Sequence, residues 1–211
     1  MKSFFDQSYG EDINLRNGKQ YTYHYSDVTG HQFFNSPEFR KGSITIRGSR
    51  YDNVLLNYDI YNQQLVLQHT DLTGRTELLR LNEEFAEEFI LDGKLFVRMT
   101  FPGTGTGFFQ LIRSGKLTCL SYWEKNLIYS STSKKNSYSF HKQFRSNYFL
   151  DNHRLRSIQS KSSFLTLFKQ EYRREIKSYV RKEKIHFRKL SDEDLIKVLE
   201  FCNGLGADSY G

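Results

Sequence analysis

Ser43-Ile44-Thr45-Ile46-Arg47, then Gly48-Ser49, then Tyr51-Asp52-Asn53-Val54-Leu55-Leu56-Asn57-Tyr58 is the stretch on which the fold turns. β-Branched and aromatic residues alternate with polar ones on both sides of a two-residue turn signal, which is the pattern of a β-hairpin. The same punctuation recurs down the chain at Asn62-Gln63, Asp92-Gly93, Ser114-Gly115 and Asp151-Asn152. It predicts the strand pairs Leu65–Gln68 with Thr76–Leu81, Glu88–Leu91 with Lys94–Phe101, Phe108–Arg113 with Leu117–Trp123, and Tyr138–Leu150 with Arg154–Ile158. Lys19 to Tyr25 reads as a first strand, and Ser130 to Asn136 as an exposed loop. Ten or so strands at this spacing imply a mainly β fold, an antiparallel β-meander or a barrel-like sheet, closed or nearly closed because two long bare edges invite association.

Near Ser160 the period changes from two to almost four. Phe164, Leu165, Leu167 and Phe168 make a short helix, and Tyr172, Ile176, Tyr179 and Val180 give a second one an apolar stripe. A third starts at Ser191, whose hydroxyl can accept from the free amides of the first turn, while Asp192, Glu193 and Asp194 complement the positive end of the helix dipole. Leu195, Ile196, Val198, Leu199 and Cys202 form its expected buried stripe, and Asn203-Gly204 ends it. The expected organisation is an N-terminal strand or arm over 1–40, an antiparallel β domain over 41–160, and a C-terminal helical cap over 161–211, together one structural unit.

Composition narrows the function classes. The chain has 211 residues, enough for a sizeable core without staples. The two cysteines, Cys119 and Cys202, fit no metal or redox spacing and read as buried thiols. No apolar run approaches the ~20 residues of a membrane-spanning helix. The opening Met1 to Asp6 is too short for the apolar core of a signal peptide, so the sequence fits a cytoplasmic protein or a mature form whose signal has been removed. The net charge of +7 is concentrated: Lys161 to Lys189 holds ten Lys or Arg against three Glu. Such a segment suits an anionic surface, a nucleic acid or a solvated helix face.

No motif points to a cofactor, a metal or a catalytic centre. Gly103-Thr104-Gly105-Thr106-Gly107 resembles a phosphate cradle but leads into a strand, not a helix, and holds no lysine, so it reads as a β-connection that can serve as a binding tip. Glu83, Glu84, Glu87 and Glu88 supply paired carboxylates, with a short helical turn as the simpler explanation. The histidines, His24, His31, His69, His141, His153 and His186, are scattered. No serine or cysteine sits in a nucleophile elbow. The remaining candidates for partner contact are the glycine loop and, in the basic segment, Arg173, Lys177 and Arg181.

Two blocks carry a resemblance. Lys41-Gly42-Ser43-Ile44-Thr45-Ile46-Arg47-Gly48 followed by Tyr51-Asp52-Asn53-Val54-Leu55-Leu56-Asn57-Tyr58-Asp59-Ile60-Tyr61 is similar to the KGS-strand and Y-(D/E)-N-V-x-L-x-Y-D block of a family of uncharacterised exported proteins of Bacteroidetes-type bacteria. The tail from Ser160 to Ile196 resembles that family's helical ending, with Thr106-Gly107-Phe108-Phe109 between. The resemblance implies a periplasmic or outer-membrane location after signal removal, and it brings no activity and no catalytic residue. The expected function is therefore a non-catalytic envelope module that binds a partner protein or an amphiphile, without a cofactor. Its rivals are a basic nucleic-acid-binding protein and a hydrolase whose site is assembled only in the fold. An amphiphile held inside the sheet would need an apolar cavity open at the glycine loop.

Overall fold

The computed structural model describes residues 15, 18–25, 27–71, 73–102, 105–114, 116–131, 136–151 and 154–207. The chain is mainly β, with antiparallel strands followed by helices. The strands are β1 (Gly18–Gln20), β2 (Arg40–Ile46), β3 (Ser49–Asp59), β4 (Gln64–Thr70), β5 (Thr76–Leu81), β6 (Ala86–Leu91), β7 (Lys94–Phe101), β8 (Gly105–Ser114), β9 (Leu117–Glu124), β10 (Leu127–Ser131), β11 (Asn136–Phe140), β12 (Phe144–Asp151) and β13 (Arg154–Ser157). Helices α1 (Lys161–Leu165), α2 (Gln170–Lys182) and α3 (Asp192–Gly204) follow, with a 3-10 turn at Phe187–Lys189 before the last. Eleven strands share one sheet in the order β1-β5-β4-β3-β2-β6-β7-β8-β9-β12-β13, and β10 pairs with β11 alone.

This order refines the expected antiparallel sheet in two ways. Among the described residues the sheet is not closed, since β1 and β13 each have a single neighbour. Nor is it a plain meander, because β6 adds to β2 instead of to β5, the strand before it. In a flat sheet β5 and β6 would stand four strand spacings apart, about 19 Å. Only Asn82–Phe85 joins them, in a turn where Phe85 N and Ala86 N both donate to the Asn82 carbonyl at 3.2 and 3.3 Å. So short a link requires the sheet to roll between β5 and β6.

By chain contacts the protein divides into two compact units, Met1–Arg98 with Trp123–Phe144, and Met99–Tyr122 with Arg145–Gly211. In the first, Ile44 and Ile46 are buried at 1 and 3% exposure, as alternation predicts. The turn after them uses Arg47 and Gly48, at φ 49° and 72°, one residue earlier than the Gly48-Ser49 reading. Two consecutive positive φ values are what a tight hairpin needs to match strand twist. Gly42 is fixed by proximity: a Cβ there would stand 2.3 Å from the Ile90 carbonyl oxygen. Pairing slips beside it, from Gly42 opposite Val54 to Ser43 opposite Asp52. The skipped residue, Asn53, sits at φ 59°, a conformation Asn tolerates better than most residues. Inside the roll, rings fill the space: Phe89 stacks on Phe96 at 4.7 Å, and Phe34, Tyr58 and Trp123 pack edge-on around them.

Residues 138–150 depart from the single strand expected there. Tyr138 pairs across to Tyr129 in the β10–β11 ribbon, and the main sheet resumes only at Phe144. Leu127 to Ser131, carrying just two aliphatic residues and one ring, lacked enough alternation to be read as a strand.

In the second unit, Ile112, Cys119 and Phe149 turn one face of their strands toward Phe164, Phe168, Ile176, Val180 and the buried stripe of α3. Phe101, Phe109 and Leu120 form a separate cluster. The helices begin as predicted: Ser191 accepts from Asp194 N at 3.0 Å while Asp194 accepts from Ser191 N at 3.2 Å. Tyr179 stacks on Phe201 at 4.0 Å. One expectation for α3 fails, because Ile196 is 38% exposed: it lies one residue off the stripe defined by Leu195, Val198, Leu199 and Cys202. Cys119 and Cys202 are buried free thiols, and burial pushes each up to about 12.

Candidate functional site

Of the residues singled out for partner contact, Gly103 and Thr104 lie outside the described residues. Gly105, Thr106 and Gly107 open β8, so the glycine segment is the connection from β7 to β8. Gly105 has φ 77° with open space around it, whereas a Cβ on Gly107 would press on the Tyr122 ring at 3.1 Å. Thr106 and Thr100 share a hydroxyl hydrogen bond of 2.7 Å across the strands. The expected short turn near the acidic run is present at 83–85, but Glu87 and Glu88 belong to β6. Among the described residues no group of three or more His, Cys, Asp or Glu is placed to hold a metal ion.

On α2 the three basic candidates separate. Arg173 is half-buried, and its Nε donates to the Phe168 carbonyl at 2.8 Å, closing the segment that follows α1. Lys177 and Arg181 are exposed, with Arg174 and Lys182 beside them. The opposite face, Ile176 and Val180, is committed to the core. The helix therefore presents fixed cations that its own packing does not use. Five Lys or Arg stand against two Glu over Gln170–Lys182.

A buried polar network in the first unit was not legible as a site. Asp59, wholly buried, accepts from Tyr21 Oη at 2.8 Å, Asn62 N at 2.8 Å, Asn62 Nδ2 at 2.8 Å and Tyr61 N at 3.1 Å. Gln32 Nε2 donates to Tyr21 Oη at 2.9 Å, and its Oε1 is buried without a partner among the described residues. Asn57, also wholly buried, donates to the Ser36 and Glu38 carbonyls, both at 3.1 Å. The polar positions of the Asn57-Tyr58-Asp59 motif thus fasten the 33–40 segment and the turn after β3. The Asx signal of Asp59 followed by Asn62 and Gln63 could have foretold the turn, but not the distant partners.

Lys125 is 8% exposed. Its Nζ donates to the His31 carbonyl at 2.8 Å and lies 3.2 Å from His31 Nδ1. Burial brings the ammonium down to about 8, against the opposing pull of Asp59. His31 is lowered as well, by burial first and then by the Lys125 and Arg40 charges. Phe33 N donates to His31 Nδ1 at 3.2 Å, which leaves Nε2 to carry the proton of the neutral ring.

Along β1 runs an open polar trough. One part, about 420 Å³, is bordered by Lys19, Arg80, Asn82, Glu83 and Glu84. A second, about 210 Å³, shares Lys19 and Arg80 and adds Tyr21, His24, Asn62 and Gln64. Nothing in the sequence announced it, because Lys19 and Arg80 are 61 positions apart and meet only through the register of β1 on β5. No family model, no curated protein and no solved structure matches this chain.

Proposed function

We propose that the protein is a non-catalytic binding module of the cell envelope that contacts anionic amphiphile headgroups through the solvent face of α2. The observation that carries this reading is the rigid placement of Arg174, Lys177, Arg181 and Lys182 in solvent while Ile176 and Val180 anchor the helix. A cation near an anionic surface contributes about 1 kcal/mol, so a row of four is a useful electrostatic contact. The rings filling the roll of the first unit favour contact from outside over an amphiphile held in the sheet. The envelope location is supported by the resemblance of the 41–61 block and the tail. The catalytic rival has less support, since the buried Asn57 and Asp59 side chains are engaged in fastening loops.

Sedimentation with phosphatidylglycerol vesicles tests the reading, with phosphatidylcholine vesicles and duplex DNA as the other arms. Wild type is expected to bind the anionic vesicles at low salt and release them at high salt. Lys177→Glu with Arg181→Glu is expected to weaken that binding by at least about tenfold. Arg173 is left intact because its reversal would break the contact with the Phe168 carbonyl. Equal binding to neutral vesicles, or tighter salt-sensitive binding to DNA, would overturn the proposal.

A further inference from the structure

The trough along β1 is independent of α2 and lies wholly within the first unit. Lys19 and Arg80 are direct register partners on neighbouring antiparallel strands. Like charges placed opposite each other in a sheet repel. Their approach is built in: Gly18, next to Lys19, lies so close to β5 that a Cβ would stand 2.6 Å from the Arg80 carbonyl oxygen. Neither cation makes a hydrogen bond or ion pair among the described residues. Glu83 and Glu84 border only the larger part of the trough, and Glu83 lies in the field of Arg80, its carboxyl pushed up by burial and drawn down by Arg80 and Arg98. In the smaller part of the trough, whose lining holds no carboxylate, these two cations forced together form a receptor for an anion. The planar guanidinium fork favours a carboxylate.

The remainder of the lining selects what the anion is attached to. Gln64 on one side presents an amide that donates and accepts at neighbouring atoms and so matches adjacent hydroxyls, and Asn82 on the other keeps its Nδ2 donors while its Oδ1 accepts from Glu84 N at 3.0 Å. Tyr23, 45% exposed, stands beside the trough's Tyr21 at 6.5 Å between ring centroids and packs on Phe33 at 5.8 Å. The larger part of the cavity, about 420 Å³, lies within the usual ~300–1,000 Å³ of small-molecule sites. A long apolar chain would find little to cover it here. We infer that the Lys19–Arg80 trough binds a carboxylate-bearing sugar, with the carboxylate on Arg80 and Lys19 and the ring hydroxyls on the flanking amides.

Titration of the full chain with D-glucuronate, followed by amide chemical shifts and calorimetry, tests this against D-glucose, acetate and inorganic phosphate. Glucuronate is expected to bind saturably, with shifts at β1 and β5, and each of the other three to bind at least about tenfold more weakly. Arg80→Ala should weaken glucuronate by at least about tenfold, and Arg80→Lys, which keeps charge but loses the fork, by an intermediate factor. Gln64→Ala, which leaves both cations in place, should narrow the preference for glucuronate over acetate. Arg75→Ala, outside the trough, should change nothing. Acetate or phosphate binding as tightly as glucuronate, glucuronate binding that survives Arg80→Ala in a folded variant, or no saturable binding would each overturn the inference. None of these results bears on the vesicle contact of α2.

Discussion

Lys125 gives the stability of this protein a pH profile that can be worked out in advance. The unfolded chain holds this proton to about pH 10.5, whereas the buried ammonium releases it near 8. Between those values the unfolded state binds more protons than the native state, so stability rises with pH, by about 1.4 kcal/mol per unit. The interval from 10.5 to about 8 caps the gain at about 3 kcal/mol. Two thiols act in the other direction. Cys119 and Cys202 ionise near 9 when unfolded but hold their protons to about 12 in the core, so above 9 the native state is the one that binds more protons. Two descending contributions exceed one rising one, and Tyr21, raised above its usual 10.0 by burial and by Asp59, adds to the fall at still higher pH. From pH 8 to pH 9 the lysine adds about 1 kcal/mol, but the unfolded thiols already ionise in part and cancel most of it, so stability should climb by only a few tenths of a kcal/mol and decline beyond pH 9.

Urea unfolding at closely spaced pH values measures this directly, with the slope against denaturant checked for constancy. Lys125→Met should abolish the climb. At neutral pH it should change stability little, because relief of the buried charge offsets loss of the bond to the His31 carbonyl. Cys119→Ala with Cys202→Ala should flatten the decline while leaving the climb. A profile that is level or falling between pH 8 and 9 in Cys119→Ala with Cys202→Ala, where the full climb of about 1 kcal/mol should show, would refute the assignment, as would a climb that persists in Lys125→Met.

Packing makes two further predictions. Phe96 is wholly buried among Phe34, Tyr58 and Phe89, so Phe96→Ala should cost about 3–5 kcal/mol and lower the thermal midpoint by roughly 10 °C, read by calorimetry. Gly42→Ala places a methyl against the Ile90 carbonyl and should cost about 1–3 kcal/mol in denaturant unfolding, with faster amide exchange in β2 and β6.

What the sequence disclosed follows from how local each signal is. Hairpins write both halves and their turn within some twenty residues, and so β2–β3, β6–β7 and β8–β9 were all legible. The helix stripes of α2 and the cap at Ser191 were equally local. Strand number left open whether the sheet is closed or nearly closed, because closure depends on whether β1 finds β13, and no local pattern records that. The jump of β6 to β2 was hidden for the same reason. The 41–61 block shows a different limit: its polar residues look like a functional signature, yet Asn53 serves a bulge, Asn57 holds two carbonyls and Asp59 collects four donors. Such demands are satisfied by backbone and by residues far away, so sequence spacing cannot separate them from catalysis.

That distinction also decides which features deserve a functional reading. A buried polar side chain whose donors and acceptors are matched is explained by the fold, as with Asp59, and Arg173 on α2 is explained in the same way. What the fold leaves unexplained is charge that it positions but does not use. Lys177 and Arg181 stand on a helix anchored by other residues, and Lys19 and Arg80 are brought together by a register that gains nothing from their repulsion. Removing cations that serve no structural purpose should leave stability at neutral pH nearly unchanged, or raise it slightly at the Lys19–Arg80 pair, while binding is lost. Destabilisation by Arg80→Ala comparable to that of Phe96→Ala would mean that the fold employs the pair after all.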